Sequence, residues 1–232
     1  MEYTLATAPH QVFLSPNEAR VLGALVEKEI TTPDYYPMTL NALTAACNQK
    51  SNRDPVLALS EQDVVQAFDE ARKKALARMV EAGASRVPKY RHRLAETLQL
   101  TPPQLAILCE LFLRGAQTLG ELRSRAERMH PFASLTEVEA VLTELSSAEH
   151  PATAVAGTPP VVRLPRQAGQ KEARYTHLLC GIPTAQEPFV SVAPATNAEA
   201  ERLNALEEEV SALKQELSAL REDFYVLKRQ LE

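Results

Sequence analysis

The stretch LSPNEARVLGALV at residues 14–26 has a counterpart in LTPPQLAILCELF at residues 100–112. Each stretch places a hydroxyl residue and a proline ahead of apolar residues at helical spacing, which predicts the start of a helix. The apolar positions align at one constant offset: Val21, Leu22, Leu25 and Val26 with Ile107, Leu108, Leu111 and Phe112. We therefore predict that the first helix of one folding unit occurs twice in the chain.

Three further landmarks follow each of these helices in the same order. A Thr-Leu-x-x-Leu element comes first, then a helix start with a hydroxyl cap, and then a strand with the pattern basic-Tyr-x-His. The copies begin at Thr39 and Thr118, at Leu59-Ser60-Glu61 and Leu135-Thr136-Glu137, and at Lys89 and Arg174. A repeat of about eighty residues is longer than a solenoid period, so we interpret it as a duplicated domain. Three helices followed by a strand pair are the element order of a winged helix-turn-helix.

The predicted fold is mainly α, with two α+β winged helix-turn-helix domains in tandem and a C-terminal coiled-coil helix. The predicted boundaries are an N-terminal segment at 1–13, winged-helix domain 1 at 14–98, winged-helix domain 2 at 99–180, a flexible linker at 181–200 and the coiled-coil helix at 201–232. A composition that is 45% hydrophobic, with seven Gly and no Trp, fits two small helix-rich domains.

Several classes of function are disfavoured by the composition. Residues 1–13 lack a basic region followed by an apolar run, and the chain nowhere has 18 consecutive apolar residues, so we expect a cytoplasmic protein with no membrane contact. Cys47, Cys109 and Cys180 are far apart and odd in number, which indicates neither a disulfide framework nor a zinc site. The five His show no metal spacing, and no phosphate loop or nucleophile motif occurs, so we expect no cofactor and no enzyme.

The net charge of -5 conceals a basic cluster. Residues 181–232 carry five basic and ten acidic residues, which accounts for all of the net negative charge. Between positions 72 and 93, eight Lys or Arg residues are opposed only by Glu81. The predicted third helix, Ser60 to about Val80, would end in this cluster, with residues 83–85 as a turn and 86–93 as a wing strand.

We interpret the cluster as a surface for duplex DNA. In a winged helix, the third helix can enter the major groove while the wing lies along the backbone, and cations there neutralise phosphates. The predicted nucleic-acid-binding residues are Lys50, Arg53, Arg72, Lys73, Lys74, Arg78, Arg86, Lys89, Arg91 and Arg93. The alternative is that cations near a helix carboxyl end offset the helix dipole and keep the surface soluble.

The second repeat differs in charge. Its third helix exposes Glu137, Glu139 and Glu144, which would repel a phosphate backbone. We therefore expect the first domain to make most nucleic-acid contacts, and the second to serve dimerisation, partner binding or backbone contact.

A polar run from Cys47 to Pro55 separates the second and third helices of the first repeat. It is longer than the usual three- or four-residue turn. Its amides and the cations Lys50 and Arg53 could reach phosphates or base edges. Equally, its own Asn and Asp side chains could hold the loop, as these residues commonly do.

These residues resemble the YceH family of bacterial proteins. The resemblance is carried by Glu18 to Leu22, Leu25 to Lys28, Thr31 to Pro33, Tyr36-Pro37, Ala46 to Lys50, Asn52-Arg53, Leu113 to Thr118 and Gly120 to Arg125. It spans both repeats and includes the C-terminal heptad. The resemblance implies a tandem winged-helix fold in a bacterial cytoplasmic protein of unestablished role, and it implies no catalytic residues.

The tail shows alternating steps of three and four between its apolar residues, which predicts a coiled coil. The predicted dimerisation residues are Leu203, Leu206, Val210, Leu213, Leu217, Leu220, Phe224, Leu227 and Leu231. Acidic g positions and basic e positions face each other only in a parallel pair, so we predict a parallel homodimer. The competing interpretation is a helix that folds back on its own domains.

The sequence thus predicts a dimeric winged-helix DNA-binding protein. A transcriptional regulator is one function that such a protein could have. The alternative is a protein-interaction adaptor that does not touch nucleic acid, as in ScpB-like subunits associated with chromosome condensation. The acidic third helix of the second repeat would suit a basic protein partner.

Overall fold

The structure, a computed structural model, describes residues 13–82, 85–166, 170 and 172–181. For residues 81, 82, 85 and 86 it describes the backbone alone. Apart from Gly181, the predicted linker and the coiled-coil helix, with all nine dimerisation residues from Leu203 to Leu231, lie outside the described residues.

The first half contains three main helices followed by an antiparallel hairpin. Its elements are α1 (Pro16–Thr31), a 3-10 turn (Pro33–Tyr35), α2 (Leu40–Cys47), α3 (Glu61–Lys73), β1 (Ala77–Ala82), β2 (Ser85–His92) and the short α4 (Leu94–Leu98). The hairpin register pairs Ala77 with His92 and Met79 with Tyr90.

The second half repeats this order with one addition. Its elements are α5 (Pro102–Arg114), α6 (Leu119–Ala126), α7 (Leu135–Leu145), α8 (Pro151–Ala156), β3 (Val161–Arg163) and β4 (Tyr175–His177). Helix α8 is the addition, and β3 pairs antiparallel with β4. The described part of the chain is therefore mixed α+β, with helices and two small antiparallel sheets.

Equivalent landmarks occupy equivalent positions in the two halves. Tyr90 of β2 forms a bridge with Met38, and Tyr175 of β4 forms the same kind of bridge with Gln117. The residue after each bridge caps the next helix, because the Thr39 hydroxyl accepts from Ala42 N and the Thr118 hydroxyl from Glu121 N. The basic-Tyr-x-His strand and the Thr-Leu-x-x-Leu element are thus repeated in structure as well as in sequence.

Two details of the sequence interpretation were wrong. Helix α3 ends at Lys73 and not near Val80. Ala75 takes a φ of 60°, which turns the chain so that Leu76 is buried and Met79 enters β1 with 43% of its surface exposed. The second copy of the third helix starts two residues earlier than predicted, since Ser134 and not Thr136 is its cap.

The two halves share one apolar core where α1 crosses α5. Gly23 and Cys109, which are equivalent under the repeat, meet at this crossing, and Cys109 Sγ lies 3.3 Å from Gly23 O. A Cβ atom on Gly23 would lie 2.9 Å from Leu113 Cδ2 and 3.1 Å from Phe112 Cβ. Glycine is therefore the residue that allows the helices to approach this closely.

We predict that Gly23→Val lowers the free energy of unfolding by about 1–3 kcal/mol, because it overpacks the crossing of α1 and α5. Gly120→Ala is the matched control, since nothing lies within 4 Å of a Cβ atom at Gly120. Urea unfolding of both variants checks the prediction. Equal midpoints for Gly23→Val and the wild type would contradict the close packing.

A second stability prediction concerns His177, whose ring packs edge-on against Phe112 at a centroid distance of 4.9 Å. Burial lowers the pKa of His177 to about 4. Because the unfolded chain binds this proton first, the wild type should lose stability as the pH falls from about 6.5 towards 4, at up to about 1.4 kcal/mol per pH unit. In the variant His177→Phe, the free energy of unfolding should not show this loss across the same pH range. If the free energies of unfolding of the variant and the wild type change equally with pH, the prediction is contradicted.

Candidate nucleic-acid interface

The outer face of the β1–β2 hairpin is cationic. In the register of the hairpin, Arg78 pairs with Arg91 and Val80 with Lys89, so these four side chains share one face. The opposite face contributes buried residues to the core, including Ala77, Tyr90 and His92. The alternation of the strands therefore turns Arg78, Lys89 and Arg91 away from the core.

These three cations differ in their local partners. Arg91 lies 3.9 Å from Glu29 and 3.7 Å from Glu96, which are loose contacts at the rim of the hairpin. Arg78 is exposed and Lys89 is partly exposed. Within the part of the chain that the structure describes, neither Arg78 nor Lys89 forms an ion pair. Both are thus available to an external anion.

His92, the last residue of β2, contacts the side chain of Glu29 in α1. Leu94 N donates to His92 Nδ1, so Nε2 carries the ring proton, and Nε2 lies 2.7 Å from Glu29 Oε2. This contact, together with the charge of Arg91, holds the pKa of Glu29 below its ordinary value. The His92 backbone N also donates to the Tyr36 hydroxyl over 2.8 Å, which ties the hairpin to the segment before α2.

The carboxyl end of α3 adds two releasable cations. Arg72 lies 3.1 Å from Asp69, and Lys73 lies 2.7 Å from Glu70. Both pairs are solvent-exposed and join residues one turn apart, an arrangement that water and salt screen strongly. Phosphate groups can therefore compete for these side chains.

Lys74 has a structural role, because it pairs with a buried carboxylate. Its Nζ lies 2.5 Å from Oε1 of Glu18, whose side chain is 4% exposed, and 5.8 Å from the centroid of the Phe13 ring. Glu18 also accepts from Ser15 N at the start of α1. The interpretation of Lys74 as a phosphate ligand is corrected, because its release would leave a buried carboxylate without its cation.

Arg53 is buried, and its prediction as a nucleic-acid ligand was wrong. Its guanidinium donates to the carbonyl oxygens of Ala46 and Asn52 and, over 2.7 Å, to a carboxylate oxygen of Glu27. Glu27 is itself buried and also lies 3.3 Å from Arg128 of the second half. Arg53 is therefore the centre of a buried polar network and is closed to solvent.

The loop from Cys47 to Pro55 contacts the second half through Asn52 and Asp54. The Asn48 side chain donates to Leu59 O and accepts from Leu59 N, which ties the start of the loop to the segment just before α3. Asp54 N donates to Leu113 O over 2.9 Å, and the Asn52 side chain accepts from Arg114. Of the two interpretations of this loop, the structure supports the one in which its own side chains hold it.

Arg20 is a structural residue of this loop that the sequence interpretation missed. It lies in α1, buried, and donates to Cys47 O over 3.1 Å and to Pro55 O over 2.7 Å. Arg20 and Glu27 are seven residues apart, so they lie on one side of α1 among apolar neighbours. Charged residues at that spacing within an apolar stripe were the signal that could have identified them.

The other predicted ligands are placed as follows. Lys50 is exposed at the loop, Arg93 is exposed just before α4, and the side chain of Arg86 in β2 lies outside what the structure describes. Apart from Lys74, which is partly exposed but paired with Glu18, the exposed or partly exposed predicted cations with described side chains are Lys50, Arg72, Lys73, Arg78, Lys89, Arg91 and Arg93.

The second half lacks the cations at the end of its third helix. Aligning the caps Ser60 and Ser134 places Ser146, Ser147 and Ala148 where α3 and its cap have Arg72, Lys73 and Lys74. In the hairpin, Arg174 donates to Ala116 O and lies 3.2 Å from Glu121. The basic surface is therefore a feature of the first half.

A groove of 570 Å³ lies beside α3. Leu40 at the start of α2 and Val65 provide its apolar lining, and Gln62, Gln66 and Asp69 are among its polar residues. The exposed face of α3 is thus mixed in character, in contrast to the cationic hairpin.

These features define a small α+β protein made of two related halves, the first of which carries an exposed cationic hairpin. The chain belongs to the family described as a protein of unknown function, DUF480, whose model matches residues 14–170. The expectation of an uncharacterised bacterial family is confirmed.

Several similar bacterial proteins bear the name UPF0502 protein. One from Geotalea uraniireducens is 56% identical over 83% of this chain and 82% of its own length. One from Geobacter sulfurreducens is 58% identical over 75% of each chain, and one from Pelobacter propionicus is 60% identical over 74% of each. These names state no activity, so the function has to be argued from the site.

Among the described residues, no helix combines the length and apolar character that crossing a membrane requires. In the same residues, no three His, Cys, Asp or Glu side chains come together in an arrangement that could hold a metal ion.

Proposed function

We propose that this protein is a tandem winged-helix protein that binds duplex DNA through its first half. The element order supports the fold assignment, since each half has three main helices and then an antiparallel hairpin bridged to the segment before the second helix. The observation that carries the functional proposal is the exposed cationic face of the β1–β2 hairpin, which stands in the position of a wing.

The chemistry of this face suits phosphate and gives no sequence information. Arg78, Lys89 and Arg91 lie on one side of a two-stranded ribbon, with Arg72 and Lys73 at the end of the preceding helix. Cations arranged in this way neutralise backbone phosphates and release condensed counterions. We expect binding that depends steeply on salt.

The helix dipole does not account for this arrangement. Arg72 and Lys73 lie in the last turn of α3, where cations offset the partial negative charge of the helix end. Arg78 and Lys89 lie in strands, which have only small net dipoles. Their placement opposite the core face is therefore the part of the pattern that favours an anionic partner.

Homodimerisation through the heptad of residues 203–231 stays a prediction. Two linked copies of the basic face would raise the effective concentration of the second copy once the first is bound to a duplex. A dimer would therefore bind more tightly than its monomer without any new contact.

The protein-adaptor function is the second candidate, and the groove beside α3 favours it. Glu61, Asp69 and Glu70 line this groove with the apolar side chains of Leu40 and Val65, and so do Arg72 and Lys73, which pair with Asp69 and Glu70. An apolar segment of another protein that carries a basic residue for Glu61 would fit such a surface. Under this alternative, charge reversal in the hairpin leaves capture of the partner intact.

Fluorescence anisotropy of the full chain with a mixed-sequence 20-base-pair duplex tests the proposal. We expect binding at about 50 mM salt that weakens by at least tenfold at about 200 mM, as neutralisation of a few phosphates requires. Absence of binding at the lower salt concentration would overturn the DNA-binding proposal and leave the adaptor function.

A further inference from the structure

Helix α3 presents two glutamine side chains to solvent on one face. Gln62 and Gln66 are four residues apart, so they are neighbours on the helix surface, and both are exposed. The opposite face packs into the core through Val64, Ala67, Phe68 and Ala71. Within the described part of the chain, neither glutamine amide has a hydrogen-bond partner.

The acidic residues of α3 are mostly engaged by their own helix. Asp63 accepts from the backbone N and the hydroxyl of Ser60 over 2.8 and 2.6 Å, and these bonds lower its pKa. Asp69 pairs with Arg72, and Glu70 pairs with Lys73. Glu61, at the start of the helix, and the two amides have no such partner among the described residues, and the partly exposed Val65 lies beside the amides.

An uncharged amide next to an apolar side chain suits a base edge better than a phosphate. A glutamine amide can donate to N7 and accept from N6 of adenine in a bidentate pair, and an aliphatic side chain can contact the thymine methyl group. A glutamine can also donate to a phosphate oxygen, but it neutralises no phosphate charge and leaves its acceptor oxygen unused there. Here the amides lie in the first half of α3, whereas the cations lie at its carboxyl end and on the hairpin.

We infer that Gln62 and Gln66 read adenine in the major groove, while the β1–β2 hairpin supplies affinity that does not depend on sequence. This inference rests on the proposed function. Four residues of helix rise about 6 Å, close to two base-pair steps of about 3.4 Å, so a helix along the groove would place the glutamines over A·T pairs separated by one base pair. Val65, between them in the sequence, would lie near the methyl group of a thymine that pairs with one of these adenines.

The test begins with selection of the full chain against a random-sequence duplex library. Anisotropy then gives the binding constants for the selected duplex and for its scrambled form, and hence the ratio of the two affinities. Repeating the titrations at several salt concentrations gives, for each duplex, the slope of the logarithm of the binding constant against the logarithm of the salt concentration. The variants are Gln62→Ala and Gln66→Ala. Thr136→Ala is the matched control, because Thr136 occupies the position of Gln62 in the second half and is also exposed.

The inference predicts enrichment of two A·T pairs separated by one position. Each glutamine substitution should lower the affinity ratio by about tenfold and leave the salt slope unchanged, since neither substitution removes a cation. Thr136→Ala should change neither quantity. Thermal unfolding should be unaltered in all three variants, because the substituted side chains are exposed.

Two failures are distinguishable. Salt-dependent binding with no enriched sequence, or a preference that survives in both glutamine variants, would overturn this inference and leave the proposed DNA binding in place. Absence of binding at about 50 mM salt would overturn the proposed function, and base reading by α3 with it.

Discussion

Arg53→Ala is expected to lower the free energy of unfolding by about 3–5 kcal/mol, because it leaves buried charge and buried carbonyl groups without their partner. The side chain of Arg53 is 0% exposed, and that of Glu27, which it contacts, is 2% exposed. After the substitution, Glu27 keeps only the longer contacts to Arg128 and Lys28. Denaturant unfolding measures the loss.

Two further variants separate this effect from loss of the loop itself. Lys50→Ala lies in the same loop at an exposed position and should change stability by less than about 0.5 kcal/mol. The double variant Glu27→Leu with Arg53→Met should recover part of the loss, since it removes both buried charges. A change under about 1 kcal/mol for Arg53→Ala would contradict the buried network.

The paired reversal Arg78→Glu with Lys89→Glu is expected to abolish duplex binding at about 100 mM salt. Each reversal changes the local charge by two units, and one unit at about 4 Å from a phosphate contributes about 1 kcal/mol in water. The pair should therefore weaken binding by roughly 10²- to 10³-fold. Anisotropy with the mixed-sequence duplex measures the change.

The control reverses Arg163 and Arg166, which belong to the strand and following segment of the second-half hairpin. It alters the net charge by the same amount, so an effect of total charge alone would weaken binding equally. We expect this control to bind nearly as well as the wild type. Equal loss in the two double variants would argue against a specific surface on the first hairpin.

Local signals made the repeated elements predictable from sequence. Thr39 and Thr118 cap their helices, and Tyr90 and Tyr175 hold equivalent bridges, because each role depends on a short motif. The cationic strand was predictable for the same reason, since β2 runs from Ser85 to His92, close to the predicted wing strand.

Competing local signals explain the two misplaced helix ends. Ser134 and Thr136 each precede an acidic residue by three positions, so both resemble a capping box, and burial of Val138 and Leu142 favours the earlier one. At the end of α3, Met79 continues the helical spacing of Phe68 and Ala71. Helix α3 ends earlier because the chain reverses there and buries Leu76. The spacing of the local apolar residues does not predict this reversal.

Long-range pairing explains why the role of Arg53 was missed. Its carboxylate partner, Glu27, lies 26 positions earlier, in α1. Lys74 pairs with Glu18 across 56 positions in the same way. A charged residue in a polar loop gives no sign of such a partner, so both were assigned to the surface.

Contact between the first hairpin and the phosphates of a duplex can be measured from the slope of the logarithm of the binding constant against the logarithm of the salt concentration. Arg78→Ala and Lys89→Ala should each reduce the magnitude of this slope by about 0.9, the value for one phosphate that the protein no longer neutralises, whereas Arg163→Ala should leave it unchanged. If both hairpin variants have the same slope as the wild type, Arg78 and Lys89 do not neutralise phosphates and the first hairpin is not the DNA-binding surface.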